Sequence, residues 1–149
     1  MKTLSFLLLL LTLASVQARL GETRKEITTR YGGGELSDCQ RLRGAETMKY
    51  HFGNFQIEVV FSGDKSIWEI FKREDRLIDE EDIAILMEAN RAPGTYWIYQ
   101  RNANRWERTG SPQLIGYLWP QHEDFFTIKD PLACDNAALP NKSDTLKGF

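Results

Sequence analysis

Two histidines, two cysteines and a scatter of carboxylates are the side chains here that could move protons or act as nucleophiles at neutral pH. His51 stands between Tyr50 and Phe52, and His122 stands in the run Gln121-His122-Glu123-Asp124. Neither belongs to a zinc spacing such as His-Glu-x-x-His, so no metal and no cofactor is expected. His122, Glu123 and a distant Asp would supply a general base, although a polar turn selects the same residues. Glu58 and Glu69 are expected to face each other across a hairpin. That would place on one face the two carboxylates that glycoside hydrolysis requires. The same pattern also arises on a solvated strand face that alternates polar residues outward. Glu80, Glu81 and Asp82 are accounted for by a helix start, where the dipole favours negative charge. No Gly-x-Ser-x-Gly elbow is present. A Cys–His nucleophile would need Cys39 or Cys134 as a free thiol. Gly32-Gly33-Gly34 lacks the Lys-Ser/Thr of a phosphate loop and follows a helix instead of leading into one, so it reads as a linker.

Aromatic side chains are the richest feature. Tyr96, Trp97, Tyr99, Trp106, Tyr117 and Trp119 fall on adjacent expected strands. Period two sends Tyr96 one way and Trp97 with Tyr99 the other, while Tyr117 and Trp119 share a face. Aromatics are therefore expected on both faces of this sheet, one packed on a helix and one open. An exposed aromatic face suits contact with a protein or a carbohydrate. Core and cross-strand packing would use the same residues.

These residues need elements to hold them. Thr23 and Glu26 have the spacing of a capping box, Ile27 and Tyr31 share a helical face, and Gly32 can supply a left-handed stop. A short helix over 23–31 follows. Met48, Tyr50 and Phe52 alternate with Lys49 and His51, and Gly53-Asn54 suits a two-residue hairpin. Phe55, Ile57, Val59 and Phe61 form a half-buried strand, and the chain returns through Ser62 to Lys65 into a strand over 67–71. Asp79 caps a second helix with Asp82 three residues on, and its stripe of Ile83, Leu86 and Met87 ends before Pro93. Four short strands follow over 96–99, 105–108, 114–119 and 125–128. The expected fold is α+β, two helix-then-antiparallel-meander units in the order α-β-β-β-α-β-β-β-β. The helices are expected on one face of the sheet. Residues 19–134 form one domain, and the polar stretch 135–149 reads as a disordered tail.

The chain opens with Lys2, an apolar run from Leu4 to Leu13 and the small-residue stretch Ala14-Ser15-Val16-Gln17-Ala18. That order is a cleavable signal peptide over residues 1–18. The run is shorter than the about 20 residues that span a bilayer, so no transmembrane anchor is expected. Taking 18 residues from 149 leaves 131, which suits one domain. Loss of Lys2 takes the net charge from −2 to −3, and the charges are interspersed. Nucleic acid is not an expected partner, since a phosphate track needs a basic stripe. In an exported chain, two cysteines favour a Cys39–Cys134 disulfide, with two free thiols as the other possibility.

The run LGETRKEITTRYG has a further likeness. Gly21, Thr23, Arg24, Glu26, Ile27, Tyr31 and Gly32 resemble the opening helix of the small outer-membrane lipoproteins of the SmpA/OmlA type, whose helix-then-meander fold is shared with the β-lactamase-inhibitor-protein-like group. Those lipoproteins begin at a lipidated cysteine, and Arg19 stands at that point here. The combination of LGET and RYG with AILMEAN (84–90) and Trp97 also looks like small uncharacterised exported proteins of Gram-negative bacteria. The two likenesses imply an exported bacterial α+β protein. The expected function is a non-catalytic binding or protein-interaction domain in the periplasm, with an envelope or extracellular protein as partner and the six aromatics as its binding residues. The alternatives are a small secreted hydrolase using carboxylates or His122, and, by fold analogy alone, an inhibitor of a secreted enzyme.

Overall fold

Capping decides where the first two helices begin. The computed structural model describes residues 20–119 and 122–139, so the signal peptide expected over 1–18 lies outside the described residues. In α1 (Arg24–Tyr31) the Thr23 hydroxyl accepts from Glu26 N–H at 3.3 Å, and Glu26 Oε2 accepts from Thr23 N–H at 2.7 Å. In α2 (Glu80–Ala89) Asp79 and Asp82 exchange the same pair of bonds at 3.0 and 3.2 Å. Each box satisfies donors that a first turn leaves open.

Between the helices lie β1 (Glu35–Leu36), β2 (Glu46–Phe52), β3 (Phe55–Ser62) and β4 (Lys65–Arg73). The two hairpins turn at Gly53 and Gly63, both at positive φ, as the glycine positions in the sequence imply. After α2 come β5 (Trp97–Gln100), a 3-10 turn (Arg101–Ala103), β6 (Arg105–Arg108), β7 (Ile115–Trp119) and β8 (His122–Lys129). The α+β class and the helix-then-meander order are as the sequence implies.

All eight strands join one antiparallel sheet in the order β1-β2-β3-β4-β8-β7-β6-β5. The two meanders meet where β4 pairs with β8, with Glu69 opposite Ile128 and Phe71 opposite Phe126. One face carries Tyr50, Ile57, Val59, Phe71, Phe126 and Ile128, and packs against Ile27 and Tyr31 of α1 and Ile83 and Leu86 of α2. These strand residues differ by even steps along each strand, which is why they share a face.

A third helix, α3 (Pro131–Ala138), was not expected. It carries ordered chain four residues past the boundary drawn at Cys134, so the expected tail begins too early; residues 140–149 lie outside the described residues. The start signal is present in the sequence: Asp130 accepts from Ala133 N–H at 2.9 Å, and Pro131 sits in the first turn. Cys134, Ala133 and Ala137 of α3 pack with Val60, Trp68 and Ile70. Those strand residues alternate with the first set, so α3 covers the opposite face, whereas α1 and α2 share one face.

The disulfide expected between Cys39 and Cys134 is not formed. Both thiols are free, Cys39 exposed and Cys134 buried. Cys134 faces inward from α3, with its Sγ 3.7 Å from the Ile67 carbonyl oxygen. Cys39 lies on the surface between β1 and β2, and the two sulfurs have no common ground.

Asn90, at the end of α2, ties several segments together. Its Oδ1 accepts from Leu20 N–H at 3.2 Å, its Nδ2 donates to Leu86 O at 3.2 Å, and its own carbonyl accepts from Arg108 Nη1 at 2.7 Å. The buried Arg108 guanidinium thus sits where the helix dipole is negative.

Candidate functional site

The six aromatics do not form one surface. Trp97 and Trp106 turn toward α2 and pack on the first core. Trp97 Nε1 donates to Met87 O at 2.8 Å, and Trp106 meets Phe126 edge-on at 5.9 Å. Tyr99 stacks at a tilt on Trp106 at 5.0 Å and donates its hydroxyl proton to Asn104 Oδ1 at 2.5 Å, leaving much of its ring exposed. Tyr96 stands exposed just before β5. Tyr117 lies on the α3 side of the sheet, with Lys129 Nζ 5.6 Å from its ring centre. Trp119 lies on that side too, after an irregularity in the β7–β8 register, and packs with the second core.

Around Trp119 a concave site does form. Arg41, Ile70, Trp119 and Phe125 line a cleft of about 180 Å³. Ile70 comes from the middle of β4, Phe125 from β8 and Trp119 from the end of β7. Trp119 and Phe125 lie with ring centres 6.5 Å apart and a tilt of 52°. Arg41 reaches in from the loop between β1 and β2. Its backbone N–H points at Thr47 Oγ1, 3.5 Å away, and its Nε donates to Glu58 Oε2 at 2.6 Å. Its guanidinium carbon stands 5.9 Å from the Trp119 ring centre, within the range of a cation–π contact. Burial works against the charge on Arg41, but the hydrogen bond and the charge of Glu58 outweigh it, so its pKa lies above the ordinary value. At the rim, Lys72 Nζ lies 5.2 Å from the Phe125 ring centre and 3.4 Å from Asp124 Oδ2. Cations and anions are thus paired around an apolar, aromatic floor.

The indole N–H of Trp119 is buried and meets no acceptor among the described residues. Two other indoles differ. Trp68 Nε1 donates to Thr127 Oγ1, whose own hydroxyl donates to Glu69 O at 3.1 Å, and Trp97 Nε1 donates to Met87 O. An unpaired buried donor costs about 1–3 kcal/mol. Trp119 also lines the cleft, which is large enough to admit a small group from outside.

The expected Glu58–Glu69 pair is not formed. Glu58 lies opposite Ile70 and Glu69 opposite Val59, one residue out of step, so the two carboxylates fall on opposite faces of the sheet. Glu58 is held by Arg41 on the α3 side. Glu69 is fully buried under α1, and among the described residues neither of its carboxylate oxygens has a hydrogen-bond partner. Burial pushes its pKa up to about 7; Arg30 and the nearby Asn90 amide pull it down, and Glu22 adds to the rise. His122 opens β8 opposite Trp119, and its side chain is outside the described residues. His51 lies 3.2 Å from Glu74 Oε1 on the exposed part of β2. Among the described residues, no three His, Cys, Asp or Glu side chains gather as metal ligands would, and no helix is long and apolar enough to cross a membrane.

Sequence reasoning found Trp119 but missed Arg41, Ile70 and Phe125 as its neighbours. Strand alternation puts Ile70 and Phe125 on a face, yet only the β4–β8 pairing brings them together. Nothing in the sequence marks Arg41, which sits in a loop. Comparison with protein-family models, with curated proteins and with solved structures found no match.

Proposed function

We propose that this chain is an exported binding domain that engages an envelope or extracellular protein, with the Arg41–Ile70–Trp119–Phe125 cleft as its contact point. The observation that carries the reading is the cleft lined by Trp119, whose buried indole N–H meets no acceptor among the described residues. A ligand group that fits would be flat or apolar, to lie between Trp119 and Phe125, and would bear one hydrogen-bond acceptor for the indole. A peptide side chain followed by its own carbonyl has that form. The signal-peptide pattern of residues 1–18 supports export, and the periplasm is the compartment that the bacterial resemblance suggests. A non-catalytic role is favoured because the expected carboxylate pair falls on opposite faces of the sheet.

The test uses the mature chain, tagged at its C-terminus and crosslinked in envelope extracts, followed by titration of the recovered partner against wild type and Trp119→Phe. The variant keeps an apolar ring and removes the donor. One hydrogen bond in a desolvated site is worth about 1.5 kcal/mol, so affinity should fall about tenfold. Unchanged affinity, with the variant folded, would remove the cleft from the function.

A further inference from the structure

The sheet has two edges, and they are treated differently. At one end β1 is two residues long and carries Glu35, within 3.9 Å of Lys49. Short length and charge are the usual means of protecting an edge from pairing with another chain. At the other end β5 is twice as long. The stretch 96–100, Tyr-Trp-Ile-Tyr-Gln, contains no charge, no proline and no register irregularity. Tyr96, Ile98 and Tyr99 are 60%, 42% and 46% exposed, respectively.

The ladder fixes which backbone groups of β5 are open. Thr109 N–H donates to Tyr96 O at 2.9 Å, while Arg108 N–H donates the other way, to Leu114 O at 2.9 Å. Glu107, two residues before Thr109 and so in the same phase, therefore turns its N–H and C=O to β5 and exchanges bonds with Ile98, its register partner. It follows that Trp97 and Tyr99 turn their N–H and C=O groups outward. Among the described residues, no backbone group pairs with them.

We infer that this edge joins a second copy of the chain, β5 against β5, antiparallel about a two-fold axis at Ile98. The inference goes beyond the cleft and does not depend on it. With the axis at Ile98, Trp97 lies opposite the second copy's Tyr99 and Tyr99 opposite its Trp97. All the outward groups then pair, in four N–H···O bonds. Ile98 meets Ile98 as the close, non-hydrogen-bonded pair at the centre, with their Cα atoms about 4.5 Å apart. Cross-strand aromatic pairs form on the α2 side and an aliphatic pair on the α3 side. The register sets no like charges against each other: Tyr96 faces Gln100, and Thr95 faces Arg101. On β6, Arg105 and Glu107 neutralise one another at 2.6 Å. A two-fold interface must be self-complementary, and this strand is. One four-residue strand makes a small contact, so the dimer is weak and dependent on concentration.

Sedimentation equilibrium of the mature chain over a wide concentration range tests the inference. Wild type should rise from the monomer mass toward twice that mass. Ile98→Lys and Ile98→Glu each place like charges at the axis and should stay monomeric. Ile98 is partly exposed, so both variants should keep the wild-type circular dichroism. An equimolar mixture of the two should recover dimer, because opposite charges then meet at the axis; this arm separates an interface effect from a folding one. Wild type that stays monomeric at the highest concentration would overturn the inference, even if the edge accepts a strand from another protein. So would an Ile98→Lys variant that dimerises as wild type does.

Discussion

Replacing Glu69 by Gln should make this protein more stable in mild alkali and leave it unchanged in mild acid. Glu69 is buried on β4 beneath α1. Val59 and Ile128 flank it on the neighbouring strands, and Arg30, Tyr31, Glu22 and Asn90 stand around it. Arg30, in the last turn of α1, is committed to Glu22 before its cap, and Asn90 Nδ2 to Leu86 O. Neither makes a hydrogen bond to the carboxylate, and burial raises its pKa from 4.5 to about 7. Between those two values the folded chain keeps a proton that the unfolded chain has released. Stability therefore falls as pH rises through that window and levels off above about 7. At about 1.4 kcal/mol per pH unit, the loss by pH 8 is roughly 3 kcal/mol. Glu69→Gln keeps the shape and has no charge to lose. Its midpoint should match wild type near pH 5 and exceed it at pH 8 by roughly 10 °C for a domain of this size. The carboxylates of Glu26, Glu46, Asp75 and Asp79 are held below their ordinary values by hydrogen bonds. Their contributions are present above the unfolded pKa and lost only in stronger acid, outside this window. Urea or thermal unfolding of both proteins at pH 5, 6.5 and 8 is the assay. A wild-type curve that is flat or rising over that range, or a variant no more stable at pH 8, would refute the reasoning.

Three other results are expected, besides the self-association set out above. Trp119→Phe should keep the fold and weaken partner binding about tenfold, read by titration. Asp79→Ala should remove one half of the α2 capping box and lower stability by about 1 kcal/mol, read as a shift of the urea midpoint with an unchanged slope. A thiol reagent should label Cys39 in the folded protein and Cys134 only after unfolding, because Cys134 is buried and burial pushes its thiol pKa up to about 11. Mass spectrometry under native and denaturing conditions reads both sites.

The sequence carried most of the fold because its signals are local. Thr23-x-x-Glu26 and Asp79-x-x-Asp82 are capping boxes in the structure as they are in the sequence. Gly53 and Gly63 turn the hairpins, and the alternation in Phe55–Phe61 marks one buried face of β3. The strand is not half-buried as expected, however: residues 57–61 are buried on both faces because α3 covers the other. α3 was missed although Asp130-Pro131 is a start signal, because the polar stretch after Cys134 has no apolar stripe of helical length. Gly34 is a different lesson. It reads as part of a flexible linker, yet a Cβ there would run into the ring of Tyr50, so the glycine is needed for close packing. The site was harder to read because it depends on pairing between distant strands. A single step of register sends Glu58 to Arg41 and Glu69 into the core, and no local pattern in the sequence fixes that step. The same long-range pairing puts Trp119 beside Arg41, while Trp97, its equal in the sequence, is bonded to the end of α2.

The indole of Trp119 is the group on which the proposed binding role most depends. The chain has four tryptophans, so a ¹⁵N-labelled sample shows four indole N–H signals, and Trp119→Phe identifies one of them. Adding the crosslink-identified partner should move that signal downfield as the indole gains an acceptor, with the Arg41 Nε–H signal moving alongside it. The indole signals of Trp68 and Trp97, bonded inside the protein, should stay in place. A partner that binds the labelled chain and leaves the Trp119 signal unmoved would contradict the central claim.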